Sequence, residues 1–212
     1  MIQLHITLGE IQTNCYIVVD ETSGIAAVID PGDFNDCLVD LLKHPKIKSV
    51  QSILLTHGHF DHILGVSGLK NLTGAKVYIH SDDAGCLEDD HQSLAYHLNS
   101  DPHEHVRPDV LIEDNQTFYV GNIKMGTIHT PGHTPGSVCF VCEHQKLLFT
   151  GDTLFRMDVG RTDFPGGNRK KLMKSLLKLS ALDGDYKIFP GHDRSTTLDY
   201  ERRHNSCMRI MG

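Results

Sequence analysis

Thr56-His57-Gly58-His59-Phe60-Asp61-His62 places four metal-capable side chains within six positions, directly after the apolar, strand-like run 49–55. Two histidines two residues apart carry little information alone. Here three more ligand-capable residues follow, each next to a glycine in a tight turn: His133 in Pro131-Gly132-His133-Thr134, Asp152 in Thr150-Gly151-Asp152-Thr153, and His192 in Pro190-Gly191-His192-Asp193. Divalent zinc prefers imidazole nitrogen and carboxylate oxygen at about 2.0–2.2 Å, and catalytic sites keep one position open for water. Seven ligands exceed one such ion, so the pattern reads as a pair. His57, His59 and His133 suit one ion, while Asp61, His62 and His192 suit a second. Asp152 suits a bridge, because a carboxylate has two oxygens to share. Two ions about 3.5–4 Å apart can hold a bridging hydroxide, lower its pKa and stabilise the oxyanion formed on attack. No serine or cysteine nucleophile is then required, and Asp61 and Asp152 are the carboxylates expected to act through that hydroxide. The expected cofactor is two divalent ions, zinc first, with iron and manganese also suited to N/O ligands.

Groups around the ligands matter because a metal-bound histidine usually donates its other N–H to a carboxylate or carbonyl. Asp30, closing the run 25–30, is the candidate. Thr56 and Ser137 are hydroxyls beside the ligand turns, for which ordinary turn roles are an equal reading. His129 and His204 read as structural.

The 212 residues are 39% apolar and carry a net charge of −7. The charge is uneven: from Arg156 onward 12 basic face 7 acidic residues, an excess of +5, which leaves −12 on the rest. That argues against a nucleic-acid partner and for a small anionic substrate near the C-terminal quarter. No signal peptide and no run of 18 apolar residues is visible, so no membrane partner is expected. Six irregularly placed cysteines do not form a disulfide framework, and the cytosol is the expected compartment. Cys139 and Cys142, three apart in a strand pattern, should face opposite sides as buried thiols.

Short β-type runs cover 2–8, 15–20 and 25–30, a helix is predicted over 35–43, a strand over 49–55, a helix over 63–72 and a strand over 76–79. Strands resume between 118 and 149. Asn168 can cap a helix whose Leu172, Met173, Leu176 and Leu177 share one face. A strand at 186–189 and a helix from 198 end the pattern. Two β-rich halves that each deliver ligands from strand ends predict two sheets packed face to face with helices outside, a single α/β domain built as a four-layer αββα sandwich. Residues 82–109 fit neither half. They hold His91, His97, His103 and His105, show weak helical pattern over 92–98, and read as either a lid or a solvated connection.

At these residues the chain resembles the metallo-β-lactamase superfamily. Val28-Ile29-Asp30-Pro31-Gly32, the T-H-G-H-F-D-H stretch, Pro131 to Ser137, Gly151 to Phe155 and Pro190-Gly191-His192 follow in order along nearly the whole length. Gly160-Arg161-Thr162-Asp163-Phe164-Pro165-Gly166-Gly167 and Thr197-Leu198-Asp199-Tyr200-Glu201-Arg202 narrow the resemblance to short bacterial hydroxyacylglutathione hydrolases (glyoxalase II). The resemblance implies the metallo-β-lactamase fold and hydrolysis of an anionic thioester. Arg161 is then a substrate anchor, an ion pair being its competing reading. Long glyoxalase II enzymes add a C-terminal helical domain that helps bind glutathione, and this chain ends before one, so thioester hydrolysis is better supported than glutathione as the carrier. The rival of another class is a persulfide dioxygenase of the same fold, with one iron on His57, His133 and Asp152. An antibiotic-hydrolysing enzyme is disfavoured by the lack of a secretion signal. The oligomeric state is open.

Overall fold

The structure is a computed structural model that describes residues 1–97 and 104–209. In chain order it contains β1 (Ile2–Leu8), β2 (Thr13–Val19), β3 (Ile25–Ile29), α1 (Asp36–Leu42), β4 (Ser49–Leu54), α2 (Phe60–Ile63), α3 (Val66–Thr73), β5 (Lys76–His80), α4 (Asp90–Ser93), β6 (Val110–Ile112), β7 (Thr117–Val120), β8 (Ile123–His129), β9 (Val138–Cys142), β10 (Leu147–Gly151), α5 (Arg169–Ser180), β11 (Lys187–Pro190), β12 (Thr196–Thr197), α6 (Leu198–His204) and α7 (Ser206–Arg209). The strands form two six-stranded sheets, in the orders β1-β2-β3-β4-β5-β6 and β12-β11-β10-β9-β8-β7. Both are mixed. β3 to β6 run parallel, as do β10 and β11, and the remaining neighbours are antiparallel.

Alternation along the strands builds three apolar layers, because successive side chains of a strand point to opposite faces. Tyr16, Val18, Ala27, Ile29 and Leu54 of the first sheet meet Met125, Phe140, Phe149 and Phe189 of the second in a central core. Ile17, Val19 and Val28 point outward onto Leu38 of α1 and Leu69 of α3. Cys139, Val141 and Leu148 point outward onto Leu172, Leu176 and Leu179 of α5. The result is the expected αββα sandwich. Cys139 and Cys142 fall in different layers, both buried and free.

Two helix expectations need correction. The single helix over 63–72 is two, α2 and α3, broken at Leu64–Gly65. Gly65 N–H donates to Pro31 O at 2.8 Å, a contact to a distant turn that replaces the bond continuing α2. In α5, which Asn168 caps by accepting from Lys171 N–H at 3.0 Å, Leu177 is 42% exposed and Leu179 takes the inward position. The inward row is therefore Leu172, Leu176 and Leu179, the i, i+4, i+7 stripe of an amphipathic helix. Two strands went unpredicted, β6 and β12, each of three residues or fewer. The polar stretch 82–109 contains a 3₁₀ turn at Ser81–Leu87, α4 and a second 3₁₀ turn at Ala95–His97, while residues 98–103, with His103, lie outside the described residues. Among the described residues no helix is long and apolar enough to cross a membrane.

Candidate metal centre

The seven candidate ligands converge where parallel strands end, the edge at which open α/β sheets generally bind ligands. β4 delivers His57 and His59, α2 carries Asp61 and His62, and the β8–β9 turn holds His133. Asp152 follows β10 and His192 follows β11. The last two turns lie against each other: a Cβ on Gly191 would come within 2.2 Å of Asp152 Oδ1, so only glycine lets the backbone approach the carboxylate this closely.

Ligand atoms within 4.8 Å of one another form three overlapping groups: His57, His59 and His133; His57, His62 and Asp152; Asp61, His62 and His192. The first and third groups have the memberships suggested for the two ions, and the second joins His57 to His62 and Asp152. His62 Nε2 lies 3.4 Å from Asp61 Oδ2 and 3.4 Å from Asp152 Oδ1. Asp152 Oδ2 is 3.6 Å from His133 Nε2 and 3.6 Å from His192 Nε2, which is 3.2 Å from Asp61 Oδ2. Asp152 thus faces members of both sets. Ligands about 2.0–2.2 Å from a tetrahedral ion stand about 3.3–3.6 Å apart, so this spacing fits atoms arranged around a cation. His57 Nε2, His62 Nε2 and Asp152 Oδ1 are buried with no hydrogen-bond partner. Orphaned buried polar atoms are costly unless something satisfies them, and a divalent ion would do so for all three. The donor set fits divalent metal, and the metal-binding expectation stands.

The outer nitrogens explain why the inner ones are free. Thr56 donates its hydroxyl to Asp30 Oδ2 at 2.7 Å, leaving the oxygen to accept from His57 Nδ1 at 3.2 Å. His62 Nδ1 donates to Asp30 Oδ2 at 3.0 Å, and His133 Nδ1 to Arg161 O at 2.8 Å. In its neutral form each ring then carries its proton outward and its Nε2 lone pair inward. Asp30 holds this position with φ at +51°, which aims its carboxylate back at Thr56. Among the described residues Ser137 makes its side-chain hydrogen bonds to Thr134 and not to a candidate ligand. Its hydroxyl accepts from Thr134 N–H at 3.1 Å and shapes the turn that carries His133.

Asp83 went unrecognised in the sequence. Only 1% exposed, it accepts from Gly58 N–H at 3.0 Å, Thr134 Oγ1 at 2.6 Å and Gly136 N–H at 2.6 Å, tying the His57–His59 loop to the His133 turn. Burial raises its pKa, partly offset by the bonds from Thr134, Gly136 and Gly58. An aspartate in a polar, histidine-rich stretch carries no local sign of being buried.

Burial, then the neighbouring imidazoles, pushes His57 well below the usual histidine range, and burial with His133 brings His59 down to about 3. Both are neutral, as ligands must be. Burial works to raise Asp61 and Asp152, but His62 and its neighbours outweigh it and lower both. Burial likewise opposes charge on His62, yet Asp61, Asp152 and Asp30 together hold it well above the ordinary value. His192 rises on its bond to Asp61 despite burial. The carboxylates thus draw positive charge into the centre, the role a metal ion would take over.

His80, Asp82 and His129 form a further group of ligand-capable side chains away from this centre. Here His80 Nδ1 accepts from Asp82 N–H at 3.1 Å, His129 Nε2 donates to Pro135 O at 2.9 Å, and the rings stack at 4.0 Å. His80 Nδ1 and His129 Nε2 are thereby engaged within the protein.

A cleft of about 450 Å³ opens above the centre. Ile11, Phe60, Leu94, Phe155, Val159 and Phe164 form apolar walls around His59, Asp61, His133, Asp152 and His192. Arg161 lies at the rim, where both readings of it meet. Its guanidinium makes a two-pronged pair with Asp163 (2.8 and 2.7 Å) and stacks on Phe164 at 3.9 Å.

The profile of the metallo-β-lactamase superfamily matches residues 8–192. An uncharacterised protein of Aquifex aeolicus is 38% identical over 202 residues, covering 94% of this chain and 93% of that one. Hydroxyacylglutathione hydrolase GloC of Haemophilus influenzae is 32% identical over 196 residues, 92% of each chain. Among solved structures, BLEG-1 B3 metallo-β-lactamase superposes with TM-score 0.91 at 33% identity, covering 98% and 99% of the two chains. TTHA1623 in a di-iron-bound form gives 0.84 at 35% identity, covering 96% and 98%. ETHE1 from Myxococcus xanthus gives 0.78 at 28% identity, covering 97% and 84%.

Proposed function

The chain belongs to the metallo-β-lactamase superfamily of metal-dependent hydrolases, and on that premise we propose that it hydrolyses a small anionic thioester of the hydroxyacylglutathione kind at a two-metal centre. The observation that carries this reading is Asp152, whose Oδ2 lies 3.6 Å from both His133 Nε2 and His192 Nε2 while its Oδ1 lies 3.4 Å from His62 Nε2, so that it meets members of both ligand sets. A single ion would leave one of these sets unused. Divalent ions held there would supply Lewis acidity and a water of lowered pKa; zinc is the metal we assign first. The protein supplies the rest. Among the described residues no serine, threonine or cysteine lines the cleft, which supports water as the attacking group. We assign Asp61, kept ionised and anchored by the Thr13 hydroxyl at 2.9 Å, and Asp152 to accept hydrogen bonds from it. The apolar walls exclude competing solvent. Leu94, from the stretch 82–109, lines one side of the cleft.

The 32% identity to GloC over 92% of both chains supports the thioester. Arg161 is the rim cation we assign to the substrate's carboxylate, sharing its charge with Asp163. Arg161→Ala should raise KM for anionic thioesters with kcat little changed; an unchanged KM would leave it the ion-pair role alone. The likeness to ETHE1 keeps a one-iron oxidation in view, but His59 Nδ1 at 2.8 Å from His133 Nε2 places a third imidazole where two histidines and one aspartate would suffice.

The test is steady-state hydrolysis of S-lactoylglutathione with metal content measured on the same sample. A kcat/KM of about 10⁴ M⁻¹s⁻¹ or more with two metals per chain supports the proposal. Two metals without turnover remove glutathione as the carrier, and a cephalosporin assay then tests the activity named for BLEG-1. One iron with oxygen uptake on glutathione persulfide would overturn the hydrolase.

A further inference from the structure

Glu201, in α6, is fully buried and has no ion-pair partner among the described residues. Its Oε2 accepts Met157 N–H at 2.8 Å and Asn205 Nδ2 at 3.0 Å, and its Oε1 accepts the Thr196 hydroxyl at 2.7 Å. Asn205 also donates to Asp158 O at 3.1 Å. A carboxylate in such surroundings is unfavourable unless fully hydrogen-bonded, and here the bond from Met157 and the Asn205 bridge to Asp158 O both reach one short piece of chain.

That piece is a hairpin. Leu154 pairs with Val159, Phe155 N–H closes it onto Asp158 O at 3.0 Å, and Met157 at its tip has φ of +64°. A non-glycine residue in the left-handed region keeps that conformation only when its surroundings hold it there, and Glu201 bonds the very N–H concerned. The hairpin is also a wall of the cleft, contributing Phe155, Asp158 and Val159. The Phe155 ring meets that of His192 edge-on at 6.1 Å. Beyond the hairpin the chain touches the metal centre twice. Gly160 passes so close to Asp152 that a Cβ would lie 1.8 Å from its carbonyl oxygen, and the Arg161 carbonyl accepts from His133 Nδ1.

We infer that Glu201 is a positioning residue: by clamping the 154–159 hairpin it sets the cleft wall, the backbone against Asp152 and the carbonyl that orients His133. The inference rests on the metal-centre reading above but not on the identity of the substrate. Glu201→Gln keeps an acceptor for Met157 N–H and Asn205, and its amide can donate to Thr196; Glu201→Ala removes all three bonds.

Wild type and both variants, loaded with Zn²⁺, are compared by amide hydrogen exchange and by zinc affinity from chelator competition. In Glu201→Ala, exchange across 154–161 should rise at least tenfold while β4 and β10 stay protected. Zinc should bind about tenfold more weakly, at the low end of the 10–100-fold typical when a group orienting a metal ligand is lost. Glu201→Gln should stay within twofold of wild type in both. Unchanged exchange at 154–161, a uniform rise over the chain, or loosening without weaker zinc binding would each overturn the inference. If Glu201→Ala does not fold, Asn205→Ala, which removes the Asp158 contact and one bond to Glu201, should raise exchange at 154–161 about threefold, and no local rise would again overturn it. Failure of wild type to cleave S-lactoylglutathione would count against the thioesterase reading alone, since neither readout uses a substrate.

Discussion

An imidazole offers a lone pair inward only if its other nitrogen has somewhere to place a proton, and His57, His62 and His133 each have that outlet in Thr56, Asp30 and the Arg161 carbonyl. The ligand-capable side chains were legible from the sequence because histidine and aspartate next to glycine in a turn are local features. The outlets were only partly so. Asp30 and Thr56 adjoin recognisable motifs, whereas Asp83 reaches Gly58, Thr134 and Gly136 across 25, 51 and 53 residues. Two predictions belong here. Asp152→Ala should leave at most one metal per chain by elemental analysis; two retained metals would remove the bridging role. Asp83→Asn keeps the size but makes one oxygen an amide donor facing other donors, so metal affinity should fall about 10–100-fold, read by chelator competition.

The elements followed the sequence where periodicity spoke clearly. β1 matches its predicted span because Ile2, Leu4, Ile6 and Leu8 alternate, and α1 is flanked by Asn35, which accepts from Leu38 N–H at 3.1 Å. The misreadings are physical. Leu177 and Leu179 are equally apolar, and only the direction from which the sheet approaches α5 selects the second. Leu179→Ala should therefore destabilise by about 2–5 kcal/mol and Leu177→Ala by less than about 0.5 kcal/mol, measured by urea unfolding. Equal losses would contradict the inward stripe. The break between α2 and α3 serves the centre: α2 alone, four residues long, presents Asp61 and His62, and Gly65 turns the chain onto Pro31.

At the scale of the molecule, three apolar layers hold the sandwich together without the metal, so chelation should abolish activity while leaving a cooperative melting transition well above ambient temperature; collapse of that transition would make the ions structural. Acid should act differently. Asp109 and Asp114 are lowered by Lys70 and Lys178 and by backbone N–H groups, although burial opposes this. Asp20 is lowered by Ser23 and by Asn122 of the facing sheet's β7–β8 turn. A carboxylate with a lowered folded pKa stabilises the fold above its unfolded value of about 3.9 and loses that contribution as pH falls. Below about pH 6.5 the lowered pair His57 and His59 loses stability while the raised pair His62 and His192 gains it, so melting temperature should change little down to about pH 5 and fall below about pH 4 as the carboxylates protonate; a fall beginning near pH 6 would show that His57 and His59 dominate. By itself the sequence determined the seven ligand-capable residues, their order, the strand alternation and hence the family and the αββα layering, because side-chain chemistry and periods of two or 3.6 residues are written locally. Only the tertiary structure decided which nitrogens face inward, that Asp83 and Glu201 are buried carboxylates holding the walls of the centre, and which leucines of α5 face the sheet. Those depend on hydrogen bonds and packing between segments far apart in the chain, and no local pattern encodes which distant donor a buried side chain will meet.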